Sequence, residues 1–249
     1  MRRVYVKRPS LASRVELHRR RLDGVSAEEG RKAWKRFRGS VKSREVVEIL
    51  KKAAGKRGRC FYCSDSLGAD IDHFVPISVT VNKTFDWRNF VWVCPVCNRL
   101  KGDRFPLDAA GFALLINPTI EDPWEYLILD IDTGVLAPRY NQGMFDVKAE
   151  ATLKVIPSIT YEAAEEGRSR SVRRIREAVK RIPDSSQPLD EELRELFRAV
   201  REDDYGVASW FALWEGRNEA DMVDLRRRNP QAWNRFVAAA QSARYGQLC

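Results

Sequence analysis

Cys60-Phe61-Tyr62-Cys63 and Cys94-Pro95-Val96-Cys97 frame the stretch that decides the fold. Ile71-Asp72-His73-Phe74-Val75-Pro76 lies between them, and Asn98-Arg99-Leu100-Lys101-Gly102 follows directly. A CxxC turn presents two thiolates from one tight loop, and two such turns complete the tetrahedron of soft ligands that zinc takes. Thirty residues separate Cys63 from Cys94, enough for a hairpin and a loop between the knuckles. Redox pairs are the alternative, but a thioredoxin-like CxxC usually stands singly near a βαβ pattern. Two pairs around a third motif favour structural zinc held by Cys60, Cys63, Cys94 and Cys97. A structural zinc contributes on the order of 10–16 kcal/mol, coupled to folding, and a module of short strands needs such a clamp.

Inside this frame the residue types change from soft ligands to hard ones. The chain has two histidines. His18 sits in a basic stretch and reads as an ordinary surface residue. His73 follows an aspartate. A lone histidine is more often structural than catalytic, so its neighbours decide. Phosphodiester hydrolysis needs an activated water, charge neutralisation at phosphorus and help for the leaving oxygen. A neutral imidazole suits the first task. Asp72 and the amide oxygen of Asn98 offer the oxygen ligands that Mg²⁺ or Mn²⁺ takes, with positions left over for water and phosphate.

Charge is unevenly spread along the 249 residues. Residues 1–59 hold 20 Lys/Arg against 6 Asp/Glu, a net +14. Residues 60–160 hold 8 against 13, a net −5, and residues 161–249 balance at 16 each. The whole excess therefore precedes the first cysteine, which points to a polyanionic partner docking there; the plainer reading is a solvated helix face. The candidate contacts are Arg19, Arg20, Arg21, Lys35 and Arg38, with Arg99 and Lys101 beyond the last cysteine. The 44% apolar content supports a folded core. No run of apolar residues is long enough for a membrane span, and no apolar segment of a secretory signal follows the basic start. Cysteines in metal-type pairs fit a reducing, cytoplasmic setting better than a disulfide framework. Cys249 stands outside the pairs as a free thiol.

Local signals organise the rest. Residues 1–25 read as an extended basic arm. Ser26-Ala27-Glu28-Glu29 is a capping-box start for a helix running to about Ala54, bent or broken at Gly39. Trp34, Phe37 and Val41 should face inward. Leu127–Ile131 and Val135-Leu136, around Asp132-Thr133-Gly134, read as a hairpin. A charged helix should run from Ser158 to about Arg181, with a linker at Pro183–Pro188. Three or four helices should follow, the last starting at Asn229-Pro230. The aromatics Trp210, Phe211, Trp214, Trp233 and Phe236 are most simply their core, with base stacking as the rarer use.

The stretch from Cys60 to Lys101 resembles the HNH endonuclease family in its zinc-clamped form. The likeness implies an α+β fold: a ββα-metal module with a structural zinc site, embedded among N-terminal and C-terminal helices. It implies His73 as general base, and Asp72 and Asn98 as ligands of a catalytic Mg²⁺ or Mn²⁺. Asn89 would brace the loop that carries His73, and Lys101, one turn after Asn98, would contact phosphate. Many members have His at the last position; Asn98 here follows the pattern of the HNH domain in Cas9-type proteins and favours hard cations. The segments Ile116-Asn117-Pro118 and Glu121–Tyr126, with the hairpin after them, are similar to HNH proteins of bacterial Septu and retron anti-phage systems, which act beside an ABC-type ATPase. The expected organisation is a basic arm and helix over 1–57, the nuclease module and its hairpin over 58–157, and a helical region over 158–249. The expected function is metal-dependent cleavage of DNA. The alternative is a non-catalytic, zinc-dependent nucleic-acid-binding or scaffold protein, and RNA or modified DNA remains open as a target. One such site cuts one strand, so a double-strand break takes two copies or two successive events.

Overall fold

A computed structural model of the chain describes residues 1–184 and 190–244. Three helices open it: α1 (Leu11–Arg19), α2 (Ala27–Arg38) and α3 (Arg44–Ala53). The capping box at Ser26 forms, with Ser26 and Glu29 bonding each other's backbone N–H. Gly39 ends α2, and a 3₁₀ turn at Val41–Ser43 leads into α3. Phe37 is buried, but Val41 is 67% exposed. The expected inward position of Val41 fails because the break at Gly39 takes it off the helical register.

The extended arm over residues 1–25 also needs correcting, since α1 lies within it. Only Leu17 of α1 is buried, so the helix shows no apolar stripe. It is held by acids instead. Glu45 of α3 accepts from the Ser10 backbone N–H (2.7 Å), from the Ser10 hydroxyl (2.8 Å) and from Ser13. Glu16 joins Arg20 (2.6 Å) to Lys42 (3.0 Å).

The central module is a two-stranded antiparallel sheet and a helix: β1 (Asp70–His73), β2 (Phe90–Val93) and α4 (Pro95–Lys101). Ile71 pairs with Trp92, Asp72 with Val91 and His73 with Phe90. All of β2 is buried, which explains its unbroken apolar sequence. The hairpin follows as β3 (Leu127–Leu129) and β4 (Leu136–Pro138), with Gly134 at φ 79° in its turn. A Cβ at Gly134 would lie 2.1 Å from the Glu165 carbonyl oxygen, so the turn can seat on the next helical layer only as glycine. A second small hairpin, β5 (Tyr140–Asn141) and β6 (Met144–Phe145), and α5 (Val147–Val155) come next.

The last third is helical: α6 (Glu162–Lys180), α7 (Arg194–Arg201), α8 (Val207–Leu213), α9 (Ala220–Arg228) and α10 (Pro230–Arg244). Asn229 caps α10, accepting from Ala232 N–H at 3.0 Å. Residues 185–188 of the expected linker, and Cys249, lie outside the described residues. Trp210, Phe211, Trp233 and Phe236 are buried. One buried apolar cluster runs from Val4 through Phe37, the cysteines and Trp124 to Phe236. No described helix is long and apolar enough to cross a membrane.

Candidate active site and metal centre

The four cysteines converge. Their Sγ atoms all lie within 4.8 Å of one another, and each residue is buried. Cys63 and Cys94 are 4.0 Å apart, close to the ~3.8 Å edge of a tetrahedron with Zn–S bonds of about 2.3 Å. The first knuckle turns at Ser64, which adopts φ 59°; Cys60 N–H bonds Ser66 O (2.9 Å) and Ser64 N–H bonds Cys60 O (3.0 Å). The second knuckle is the start of α4. Cys94 is its N-cap, Pro95 supplies the preset φ of the first turn, and Cys94 Sγ accepts from Cys97 N–H at 3.4 Å. Ser158 Oγ sits 3.1 Å from Cys97 Sγ. Burial pushes the Cys60 thiol up, while the Cys60 thiol's hydrogen bond holds Cys94 well down. Four crowded thiols cannot all ionise unaided, and a divalent cation at their centre removes the conflict. The cluster thus fits a structural zinc site.

His73 ends β1 and is 6% exposed. Its Nε2 lies 2.9 Å from Thr84 O. A carbonyl only accepts, so Nε2 carries the proton and Nδ1 keeps its lone pair. Trp34 from α2 packs steeply inclined to the ring at a centroid distance of 4.5 Å, and Phe90 flanks it at 5.5 Å. Burial lowers the imidazole pKa from 6.5 to about 4, so the ring is neutral at pH 7.

Asn89 is buried and saturated. Its Oδ1 accepts from Val75 N–H (2.7 Å), and its Nδ2 donates to Val75 O (2.9 Å) and Lys83 O (3.1 Å). It ties the two ends of the loop whose Thr84 carbonyl holds His73.

Lys101 corrects an expectation. It has no exposed surface and does not face substrate. Its Nζ lies 3.0 Å from Asp72 Oδ2 and donates to His73 O at 2.8 Å. Lys101 is the last residue of α4 and reaches β1 through these two contacts, so it points into the module. Burial raises the Asp72 pKa, and Lys101 opposes that rise. Asp72 Oδ2 is buried against the Lys101 ammonium, so the position beside it that a cation would take is held by a side-chain cation. Asn98 is half-buried and one turn earlier on the same face of α4 as Lys101. Carboxylate and amide oxygens are the donor types that a hard divalent cation takes.

The surface candidates divide. Arg19, Lys35 and Arg99 are exposed, and Arg21 opens onto a cleft beside Trp87. Arg20 is bound to Glu16, and Arg38 to Asp70 at 2.6 Å. Thr84, Ser158 and the Asp70–Arg38 pair were not anticipated. Thr84 acts through its carbonyl, which every residue type has, so no sequence signal marks it.

Residues 60–104 match the family model described as HNH endonuclease. A search of curated proteins found no match to the chain. The chain therefore contains an HNH endonuclease module with a cysteine cluster suited to structural zinc, and this supports nuclease activity in general.

Proposed function

We propose that the chain is a metal-dependent endonuclease that hydrolyses phosphodiester bonds in DNA. The observation that carries this reading is the bond from His73 to Thr84 O, which leaves Nδ1 as the free base at the end of β1. Nδ1 takes a proton from water; the water oxygen bonds to phosphorus as the bond to the leaving oxygen breaks. Asn89 and Thr84 hold the imidazole in the tautomer this requires. Asp72 and Asn98 would hold Mg²⁺ or Mn²⁺, which when bound offsets charge on the phosphate and the leaving oxygen. The basic segment 1–57 would hold the backbone of the nucleic acid, module 58–157 would cut, and region 158–249 would meet partners. The likeness of residues 116–136 to Septu and retron HNH proteins supports a role in anti-phage defence beside an ABC-type ATPase.

The test is plasmid cleavage by wild type and His73→Ala with Mg²⁺, Mn²⁺ or EDTA. Metal-dependent nicking that disappears in the variant is the expected result. Equal cleavage by both proteins would remove His73 as the base. One observation favours a second reading, a non-catalytic zinc-dependent binding protein: the Lys101 ammonium already sits 3.0 Å from Asp72 Oδ2, where a cation would otherwise go. Wild type that binds DNA but leaves it intact with either metal would select that reading.

A further inference from the structure

Part of the positive charge in the first third of the chain is already used within the fold. Arg20 and Lys42 pair with Glu16, Lys32 with Glu28, Arg38 with Asp70, and Arg57 and Arg59 with Asp204. Four other arginines share one place on the surface. Arg8, Arg14, Arg21 and Arg88 are exposed and make no ion pair with any described residue, yet all four line one cleft of about 410 Å³. They come from separate places: the segment before α1, α1 itself, the turn after it, and the 3₁₀ turn Trp87–Asn89 that leads into β2. One acid, Asp86, joins them, and its Oδ1 already accepts from Arg88 N–H at 3.1 Å. Unpaired guanidiniums gathered in a concave wall raise the local potential and concentrate anions. Guanidinium geometry suits phosphate oxygens.

The rest of the lining is not ionic. Trp87 and Phe90 form part of the wall, with Thr119 also lining it. An indole beside arginines is the pairing that takes a base on a ring and its phosphate on the cations. The volume falls in the ~300–1,000 Å³ range of sites for discrete ligand units, and is concave where a duplex side would need a broad face. The cleft also touches the active site through one ring: Phe90 pairs with His73 in the sheet, with ring centroids 5.5 Å apart, and Trp87 stands 6.1 Å from Phe90.

We infer that this arginine cleft binds a nucleotide unit of the substrate strand next to the scissile phosphate, with phosphates on Arg8, Arg14, Arg21 and Arg88 and a base against Trp87. This rests on the nuclease reading above. It makes the four arginines and Trp87 positioning residues for the strand.

The test uses the full zinc-loaded chain carrying His73→Ala, so that binding is read without cleavage. Affinity for a short fluorescent single-stranded oligonucleotide is measured across salt concentrations. Arg14→Gln/Arg21→Gln is compared with Arg44→Gln/Lys56→Gln, which removes the same charge from exposed, unpaired positions outside the cleft. The cleft pair should weaken binding at least ~10-fold and lower the log-log salt slope by about 1.4, two single-strand phosphate contacts at ~0.7 each. Trp87→Leu should weaken binding by a further ~10-fold with the slope unchanged. Equal losses from the two double variants, or none from either, overturn the cleft. Displacement of the oligonucleotide by an equal nucleotide concentration of free nucleoside monophosphate also overturns it, by moving the ligand from a strand to a free nucleotide. Failure of the nuclease reading shows separately: wild type that never cleaves, beside cleft-specific loss of binding, removes the chemistry and keeps the cleft.

Discussion

A lysine with no exposed surface must find its counter-charge inside the protein, and Lys101 finds it in Asp72 at 3.0 Å. Breaking a buried pair on one side typically costs about 3–5 kcal/mol, because the remaining charge is stranded. Lys101→Met should therefore destabilise the zinc-loaded protein by about that amount. The stranded Asp72 carboxylate would then gain most from any cation able to replace the ammonium. Millimolar Mg²⁺ should raise the melting temperature of Lys101→Met by more than it raises that of wild type. Equal shifts in the two proteins would place the cation away from Asp72. The same residues show how far the sequence could be read. Asp72, His73, Asn89 and the four cysteines act through side-chain atoms whose types and spacing are visible in the chain. The inward turn of Lys101, and the carbonyls of Thr84 and His73 that complete the network, depend on how α4 and the loop after β1 pack on the sheet, and no residue type records that.

At the scale of elements, the sheet and the first knuckle are joined by a contact that only glycine allows. A Cβ at Gly68 would lie 2.0 Å from Trp92 Nε1. Both partners are fixed. Gly68 N–H bonds Gly58 O at 2.8 Å on the knuckle, and Trp92 is buried in β2 opposite Ile71. Inserting even one methyl into such a contact usually costs about 1–3 kcal/mol. Because the displaced strand leads straight into Cys94, Gly68→Ala should lower zinc affinity as well as stability. Competition with a chromogenic chelator, run beside thermal unfolding, checks both. A variant that unfolds early but keeps wild-type zinc affinity would show that knuckle and strand are not coupled. Elements with a cap or a clear apolar face were legible: the Ser26 capping box, the hairpin around Gly134 and the start of α10 at Asn229-Pro230. Two helices were not. α1 is held by Glu45 and Glu16 rather than by an apolar stripe. α5 places Thr152 in its buried face, where the hydroxyl accepts from Ile116 N–H at 2.9 Å, and that polar residue interrupts the pattern a reader would count.

At the scale of the whole molecule, the C-terminal helices reach back and clamp the metal knuckle. Asp204, between α7 and α8, pairs with Arg57 at 2.7 Å and Arg59 at 3.2 Å, directly before Cys60. Its neighbour Tyr205 donates to Asp65 Oδ1 at 3.0 Å, just beyond Cys63. Tyr205 is itself seated against Gly167 of α6, where a Cβ would meet its hydroxyl at 1.9 Å. Trp124 fixes the same turn by donating to Gly206 O at 3.0 Å. The first CxxC turn is thus gripped on both flanks by residues some 140 positions away, so opening it requires the C-terminal layer to move. The two arginines keep part of their solvent exposure, and pairs of that kind contribute modestly to equilibrium stability, about 1 kcal/mol or less each. Their larger effect should be on local opening, which governs how fast a buried ion escapes. Asp204→Ala and Tyr205→Phe should each accelerate zinc transfer to a chelator several-fold, on the order of one RT·ln10 of opening free energy at most, while helical content and the cooperative melt stay close to wild type. Transfer rates equal to wild type in both variants would mean that the knuckle opens without the C-terminal layer. Faster transfer would instead make the ion's residence time a property of the contact between the knuckle and the C-terminal layer, and anything that binds that layer would then reach the metal centre through Asp204 and Tyr205.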